Sequence, residues 1–438
     1  MNTMSASALL ASRLIRNHNG NRNGFKSACA AGLLCMAISL LANAQTPAAP
    51  VPGIAPDAIQ SYLQPLASNH TIAGAVTLIA TKDKTVYLKA TGYRDLSSRE
   101  PMPENALFWI ASTSKPMTAT AFMMLVDEGK INLDDPVEKY LPEFKGQKVG
   151  PRHPDAATKA PGESAPQASI ELVPAAHPIR IREILSHTSG LRFRSAAQPA
   201  ALDLLPLKDA VRSYAAEPLL YQPGTDYEYS NEGLNTAARI IEVVSGIPYE
   251  RFMQERLFNP LGMTDTTFWP NPEQISRLAM SYQLDAQTKD LKEITVGQLT
   301  YPLDDRLHRF PMPAGGLFST AKDVATFCQM ILNGGTFHGK RLLSQAAVNQ
   351  MTSQQNGGHG GTSYGLGWSV GQHSFGHGGA FKNAVDIDPS TGRILVFMVQ
   401  QNGPWGTPAG DAMVSTLERL ADQVVAAGAA SAPAASQR

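Results

Sequence analysis

Cysteine is scarce in this chain. Of its 438 residues only three are cysteine; Cys29 and Cys35 fall in an N-terminal apolar segment, leaving Cys328 alone in the remainder. A single cysteine closes no intramolecular disulfide, so the fold must be held by a packed core. Cys328 lies in an apolar helical stretch and is expected to be a small buried hydrophobe. Excess charge is missing too: 37 Lys and Arg balance 37 Asp and Glu, which removes any electrostatic reason to expect nucleic acid as a partner. The apolar run from Ala28 to Leu41 is shorter than the ~20 residues a membrane-spanning helix needs. No internal repeat is evident, which excludes solenoid and propeller architectures.

That short apolar run has a different meaning. Arg13, Arg16, Arg22 and Lys26 precede it, and Ala42-Asn43-Ala44 follows as a small-x-small cleavage site, so residues 1–44 read as an export signal. Lipid attachment at Cys35 is discounted, because Leu34 stands where a small residue belongs. The expectation is a periplasmic or secreted protein with no stable membrane span after signal removal. Residues 45–55, rich in Pro and Ala, read as a flexible leader.

With 43% hydrophobic and 17% charged residues, the rest is globular and long enough for one large domain or two interlocked ones. A helix is plausible from Asp57 to Leu66. Runs at Ala75–Ala80 and Thr85–Thr91 flank Lys82-Asp83-Lys84 as a hairpin. Met117 to Glu128 has helical apolar spacing, closed by Gly129 at the C′ position. Residues 146–168 lack periodicity and read as a loop insertion. Arg180 to Thr300 is mainly helical, with Thr236–Ser245 the clearest stretch. Strand character returns at Phe375, Ala384–Ile387 and Ile394–Val399, with Pro389-Ser390-Thr391-Gly392 turning between the last two. A terminal helix spans Asp411 to Ala426, and residues 427–438 form a disordered tail. Strands at both ends and helices between them predict an α/β (α+β) fold. One antiparallel sheet is built from 56–115 and 301–426 and flanked by helices, with a mainly helical domain, 116–300, inserted.

Chemistry concentrates in three short segments. Ser112-Thr113-Ser114-Lys115 places a hydroxyl and an amine three residues apart at a helix start, on one face and within hydrogen-bond reach. A serine needs a neighbouring base to become a nucleophile, and a desolvated lysine can supply it. Taken alone, the same tetrapeptide reads more readily as a capping serine beside a surface lysine. Tyr229-Ser230-Asn231 follows a Pro223-Gly224 turn. Its tyrosine can relay protons if nearby cations lower its pKa, and its asparagine can orient a lysine and a substrate amide; a core tyrosine ahead of a helix cap is the other reading. In Phe375-Gly376-His377-Gly378-Gly379-Ala380 the glycines admit close approach of backbone or substrate, with His377 projecting over the gap.

In this order and spacing the segments resemble the serine β-lactamase and penicillin-binding protein superfamily, in the branch of class C β-lactamases, DD-peptidases and related esterases. The S-x-x-K, Y-x-N and H-x-G signatures correspond to Ser112…Lys115, Tyr229…Asn231 and His377-Gly378-Gly379. Supporting stretches are Leu107–Ala111, Leu185-Ser186-His187-Thr188-Ser189-Gly190-Leu191 and Pro313–Thr320, and the likeness runs from about residue 57 to 425. The resemblance implies a β-lactamase/transpeptidase-like fold and an acyl-enzyme mechanism. Ser112 attacks a carbonyl, Lys115 and Tyr229 share the proton transfers, and Asn231 positions Lys115 and substrate. The oxyanion rests between the N–H groups of Ser112 and Ala380. No metal or cofactor is implied. His377, only partly charged near neutrality, and Gly378, with no hydroxyl, depart from the lysine and hydroxyl that bind a β-lactam carboxylate. Small esters or peptides are therefore the expected substrates. β-Lactams or cell-wall peptides are the alternative, transacylation remains open, and a non-catalytic cell-wall peptide-binding protein is the rival outside enzymology.

Three other patterns are set aside. Gly361-Thr362-Ser363-Tyr364-Gly365 matches a nucleophile elbow but lacks the flanking strand and helix. His373 and His377 lack a third metal ligand. His187 reads as structural, at a helix end.

Overall fold

A computed structural model describes residues 58–150, 171–198 and 200–430. The expected export signal and leader, residues 151–168 of the insertion, and residues 431–438 of the tail lie outside the described residues.

The centre is a seven-stranded sheet, antiparallel throughout. Its strands are β1 (Gly74–Ala80), β2 (Thr85–Asp95), β3 (Glu100–Pro101), β4 (Ser369–Val370), β5 (Phe375–Gly378), β6 (Ala384–Asp388) and β7 (Arg393–Val399). The spatial order is β4-β5-β6-β7-β1-β2-β3, so β1 pairs with β7 from the other end of the chain, Ala75 opposite Val399. Every residue of β1 is buried. A strand covered on both faces reads as a continuous apolar run, which explains why Gly-Ala-Val-Thr-Leu-Ile-Ala carries no polar alternation. The two faces still separate by the period of two. Ala75 and Ile79 pack with Leu395 and Phe397 under helix α1 (Ala58–Ser68) and the terminal helix, whereas Val76, Leu78, Val396 and Met398 face the main core.

That main core surrounds helix α2 (Ser114–Asp127), in which every residue from Ser114 to Leu125 is buried. A helix buried on every face belongs inside a protein, and its polar members Ser114, Lys115, Thr118 and Thr120 are all hydrogen-bonded there. Gly129, at φ +69°, ends it as expected: the N–H of Gly129 donates to Val126 O and that of Lys130 to Leu125 O, a Schellman closure. Helices α3 (Ile181–Leu185) and α4 (Asn231–Ser245) pack alongside, α5 (Ala321–Leu332) lies on the sheet, and α6 (Met413–Ala430) closes the back.

The hairpin, the strands near residues 375, 384 and 394, the 389–392 turn and buried Cys328 lie where the pattern places them. Boundaries differ for local reasons. Helix α4 begins at Asn231, ahead of its clearest stretch, because Ser230 caps it, its Oγ accepting the Gly233 N–H at 3.0 Å. The terminal helix continues to Ala430, through the first residues of the expected tail, since alanine favours helix without any apolar periodicity and outweighs the single Gly428. Within 180–300 short strands Tyr282–Leu284 and Leu291–Glu293 pair with each other, and the first also pairs with Gln401–Asn402.

Candidate active site

The nucleophile candidate is held at a strained corner. Ser112 lies in a 3-10 turn, Ala111–Thr113, that runs directly into α2. The residue before it, Ala111, has φ +46°, a left-handed conformation that a residue with a Cβ adopts only under constraint. That constraint comes from the segment Pro313–Leu317, stitched to the start of α2. The Trp109 Nε1–H donates to Gly315 O at 2.7 Å, Thr118 Oγ1 to Pro313 O at 2.8 Å, and the Leu317 N–H to Ser114 Oγ at 3.2 Å.

Lys115 follows one turn on and is fully buried. Its Nζ lies 2.7 Å from Asn231 Oδ1, 2.8 Å from the Ala314 carbonyl oxygen and 3.1 Å from Ser112 Oγ. None of these partners is a carboxylate. Burial alone pushes the amine well below its ordinary pKa of 10.5. A neutral amine has two N–H bonds and one lone pair. Asn231 Oδ1 and Ala314 O take the two N–H groups, so the lone pair is left to accept the Ser112 O–H. The geometry thus builds a base aimed at a hydroxyl. Asn231 is placed by its position as first residue of α4, and the Ala314 carbonyl by Asn235 Oδ1, which accepts the Ala314 N–H at 3.0 Å.

Tyr229 completes the cluster. Its hydroxyl is hydrogen-bonded to Ser112, and Lys115 Nζ lies 4.6 Å from its ring centroid. The condition attached to its proton-relay role, a pKa lowered by cations, is not met. Burial raises it above the ordinary tyrosine value, only partly offset by the bond to Ser112, so Tyr229 is a neutral phenol.

His377 needs correction as well. It is 7% exposed; its Nδ1–H donates to Gly378 O at 2.8 Å, which leaves Nε2 to accept the Tyr364 O–H at 2.9 Å. Burial first, and the nearby Lys115 amine second, push its pKa down to about 3. Burial thus keeps His377 neutral near pH 7, not partly charged, and with both ring nitrogens engaged it is no partner to His373 in a metal pair. Gly378, by contrast, is exposed, and a Cβ there would meet nothing closer than Asn383 O at 3.6 Å. Gly379 is dictated by packing: a Cβ would come 2.7 Å from the Ile110 carbonyl oxygen, which seats the end of β5 against the turn carrying Ser112. Ala380 is next in line.

The structure therefore brings Ser112, Lys115, Tyr229, Asn231 and the 377–380 segment to one place. It also adds residues that motif reasoning passed over. Tyr364, from the discarded Gly361–Gly365 pattern, is 2% exposed and bonds His377; no strand–turn–helix surrounds its neighbour Ser363. The Ala314 carbonyl has no signature in side-chain chemistry. His187, with ring centroid 4.6 Å from those of both Tyr229 and Tyr364, lies inside the cluster and not at its margin. Among the described residues no group of His, Cys, Asp and Glu is arranged to hold a metal, and no helix is long and apolar enough to cross a membrane.

Comparison with known proteins shows the family. The family described as Beta-lactamase matches residues 59–417. The chain belongs to that family. Among its relatives, an Escherichia coli (strain K12) protein provisionally named D-alanyl-D-alanine carboxypeptidase is 27% identical over 403 residues, covering 81% of this chain and 86% of the relative. A lovastatin esterase of Penicillium rubens is 31% identical over 288 residues, covering 62% of this chain and 66% of its own. The solved structure of EstCE1, a hydrolase with promiscuous acyltransferase activity, superposes with a TM-score of 0.66 at 23% identity, over 84% of this chain and 97% of that one; at this identity the likeness speaks for the fold. The fold is β-lactamase-like, and the family is one of hydrolases.

Proposed function

We propose that this β-lactamase-family hydrolase is an exported serine enzyme that works through an acyl-enzyme on Ser112, with small uncharged esters or peptides as substrates. The observation that carries the mechanism is the buried Lys115 amine, which has two carbonyl-type acceptors and Ser112 Oγ around it and no carboxylate. Ser112 gives its proton to the Lys115 lone pair as its Oγ bonds to the substrate carbonyl carbon. The oxyanion that forms is held by the backbone N–H groups of Ser112 and Ala380. Tyr229, a phenol bridged to Ser112, passes a proton on to the leaving alcohol or amine and is reprotonated from Lys115. Water repeats the sequence in reverse roles and releases the acid.

The substrate preference rests on β5. A substrate carboxylate bound there needs a cation, and a charge-assisted contact is worth about 1.5–3 kcal/mol, roughly ten- to a hundredfold in affinity. Neutral His377 and bare Gly378 supply neither charge nor hydroxyl. This favours esters over β-lactams and carboxylate-ended cell-wall peptides. The export signal read from residues 1–44 supports a periplasmic or secreted site of action.

The test is an intact-mass time course of the mature protein and its Ser112→Ala variant after a pulse of p-nitrophenyl butyrate or benzylpenicillin. Rapid ester turnover by the parent alone, without a lasting penicillin adduct, is the expected result. A slowly cleared penicillin adduct on the parent would mean a penicillin-binding peptidase or weak β-lactamase instead. Turnover surviving in Ser112→Ala would sink the mechanism.

A further inference from the structure

We infer that His187 is the positioning residue that fixes the Tyr229 hydroxyl against Ser112, acting through its Nδ1 acceptor and not through proton transfer. The inference rests on the role given to Tyr229 above. Tyr229 sits in an irregular segment ahead of α4, where no regular structure holds its backbone. Its two chain neighbours are both tied to one residue. The Glu228 N–H donates to the His187 carbonyl oxygen at 3.0 Å, and the Ser230 N–H donates to His187 Nδ1 at 3.1 Å. The same carbonyl accepts the Tyr221 hydroxyl at 3.0 Å, which locks His187 in turn. Residues 228 and 230 are thereby clamped on either side of Tyr229, and the His187 ring packs against the Tyr229 ring at 4.6 Å.

His187 is built for this. Its φ of +64° turns the side chain back toward the 228–230 segment while its carbonyl serves the same segment. The residue is fully buried and neutral, because burial drives its pKa well below the ordinary histidine value. Neutrality keeps Nδ1 an acceptor for the Ser230 N–H and puts the ring proton on Nε2. Nε2 itself has no hydrogen-bond partner among the described residues. Ser230 uses its other groups too: its Oγ donates to Arg192 O at 2.6 Å and accepts the Gly233 N–H, so the clamp is continuous with the start of α4 and hence with Asn231.

Asparagine carries an acceptor at the same bond distance from its Cβ as His Nδ1 and adopts left-handed φ readily; leucine has nearly the shape of asparagine and no acceptor. The experiment is therefore His187→Asn against His187→Leu, each with kcat, KM and melting temperature for p-nitrophenyl butyrate hydrolysis, plus a crystal structure of His187→Leu. Leaving a buried N–H without an acceptor carries a free-energy cost. If that cost is paid in Tyr229 placement, the expected result is a loss of about tenfold or more in kcat for His187→Leu with KM little changed. His187→Asn should stay within about threefold of the parent, and Tyr229 should be withdrawn from Ser112 in the His187→Leu crystal structure. Equal kcat losses in both variants, or Tyr229 still bonded to Ser112 in His187→Leu, would overturn the clamp. Parental turnover in Ser112→Ala would instead sink the acyl-enzyme reading, and the position of Tyr229 in the His187→Leu crystal structure would still judge the clamp.

Discussion

Arg309 and Lys115 are sealed from solvent to nearly the same degree, at 2% and 0% exposure, yet they meet different company. Arg309 Nε lies 2.8 Å from Asp203 Oδ2, and Asp203 in turn accepts the Thr300 N–H and hydroxyl. Its Nη1 donates to the Leu303 and Phe268 carbonyl oxygens. The guanidinium–carboxylate pair serves as a staple between residues 203, 300 and 309, just ahead of the Pro313–Leu317 segment. Lys115 has equally good hydrogen bonds and no counter-charge. Its amine avoids the cost of a buried charge by staying neutral, and a neutral amine is a base. The buried basic group with a carboxylate beside it is architecture, and the buried amine without one is chemistry.

Removing the amine should break that comparison most severely. Lys115→Met keeps the volume and deletes the lone pair; kcat/KM is expected to fall by about a thousandfold or more, read in steady-state ester hydrolysis. Next comes the staple. Asp203→Ala leaves Arg309 buried and unpaired, and should cost about 3–5 kcal/mol in denaturant unfolding, while molecules that remain folded keep most of their turnover.

Giving Lys115 the carboxylate it lacks sharpens the contrast. In the parent, kcat/KM should fall as pH falls through the depressed Lys115 pKa, because protonation removes the base, and should be flat above it. Asn231→Asp stabilises the ammonium, raises that pKa and carries the acid limb to higher pH. A shift of about one unit or more, with a loss of roughly tenfold in the rate at neutral pH, is expected from a pH–rate profile of the two proteins. The smallest effect concerns β5: His377→Lys with Gly378→Thr should speed acylation by benzylpenicillin about tenfold, followed by intact mass, and leave butyrate turnover within a few-fold.

Much of this was legible in the sequence where the determinant is local. The run Gly74–Ala80, the apolar helix ahead of Gly129 and the serine–lysine spacing each follow from neighbours in the chain. Asn231 and Tyr229 were legible through a motif. What sequence could not supply came from distance and burial. The Ala314 carbonyl reaches Lys115 across 199 residues and offers only backbone. Tyr364 sat in a pattern whose glycines suggested something else. His187 resembled a helix terminus because its value lies in a left-handed φ and one ring nitrogen, neither of which shows in residue identity. The neutrality of His377 follows from burial beside Tyr364, which only the assembled fold provides.

The most direct test is the protonation state of Lys115 itself, read by nitrogen-15 NMR titration of labelled protein with the signal assigned through Lys115→Arg. The expected result is a neutral amine at neutral pH, becoming ammonium only as the solution is acidified. An ammonium at neutral pH that titrates near the ordinary lysine value of 10.5 would contradict it.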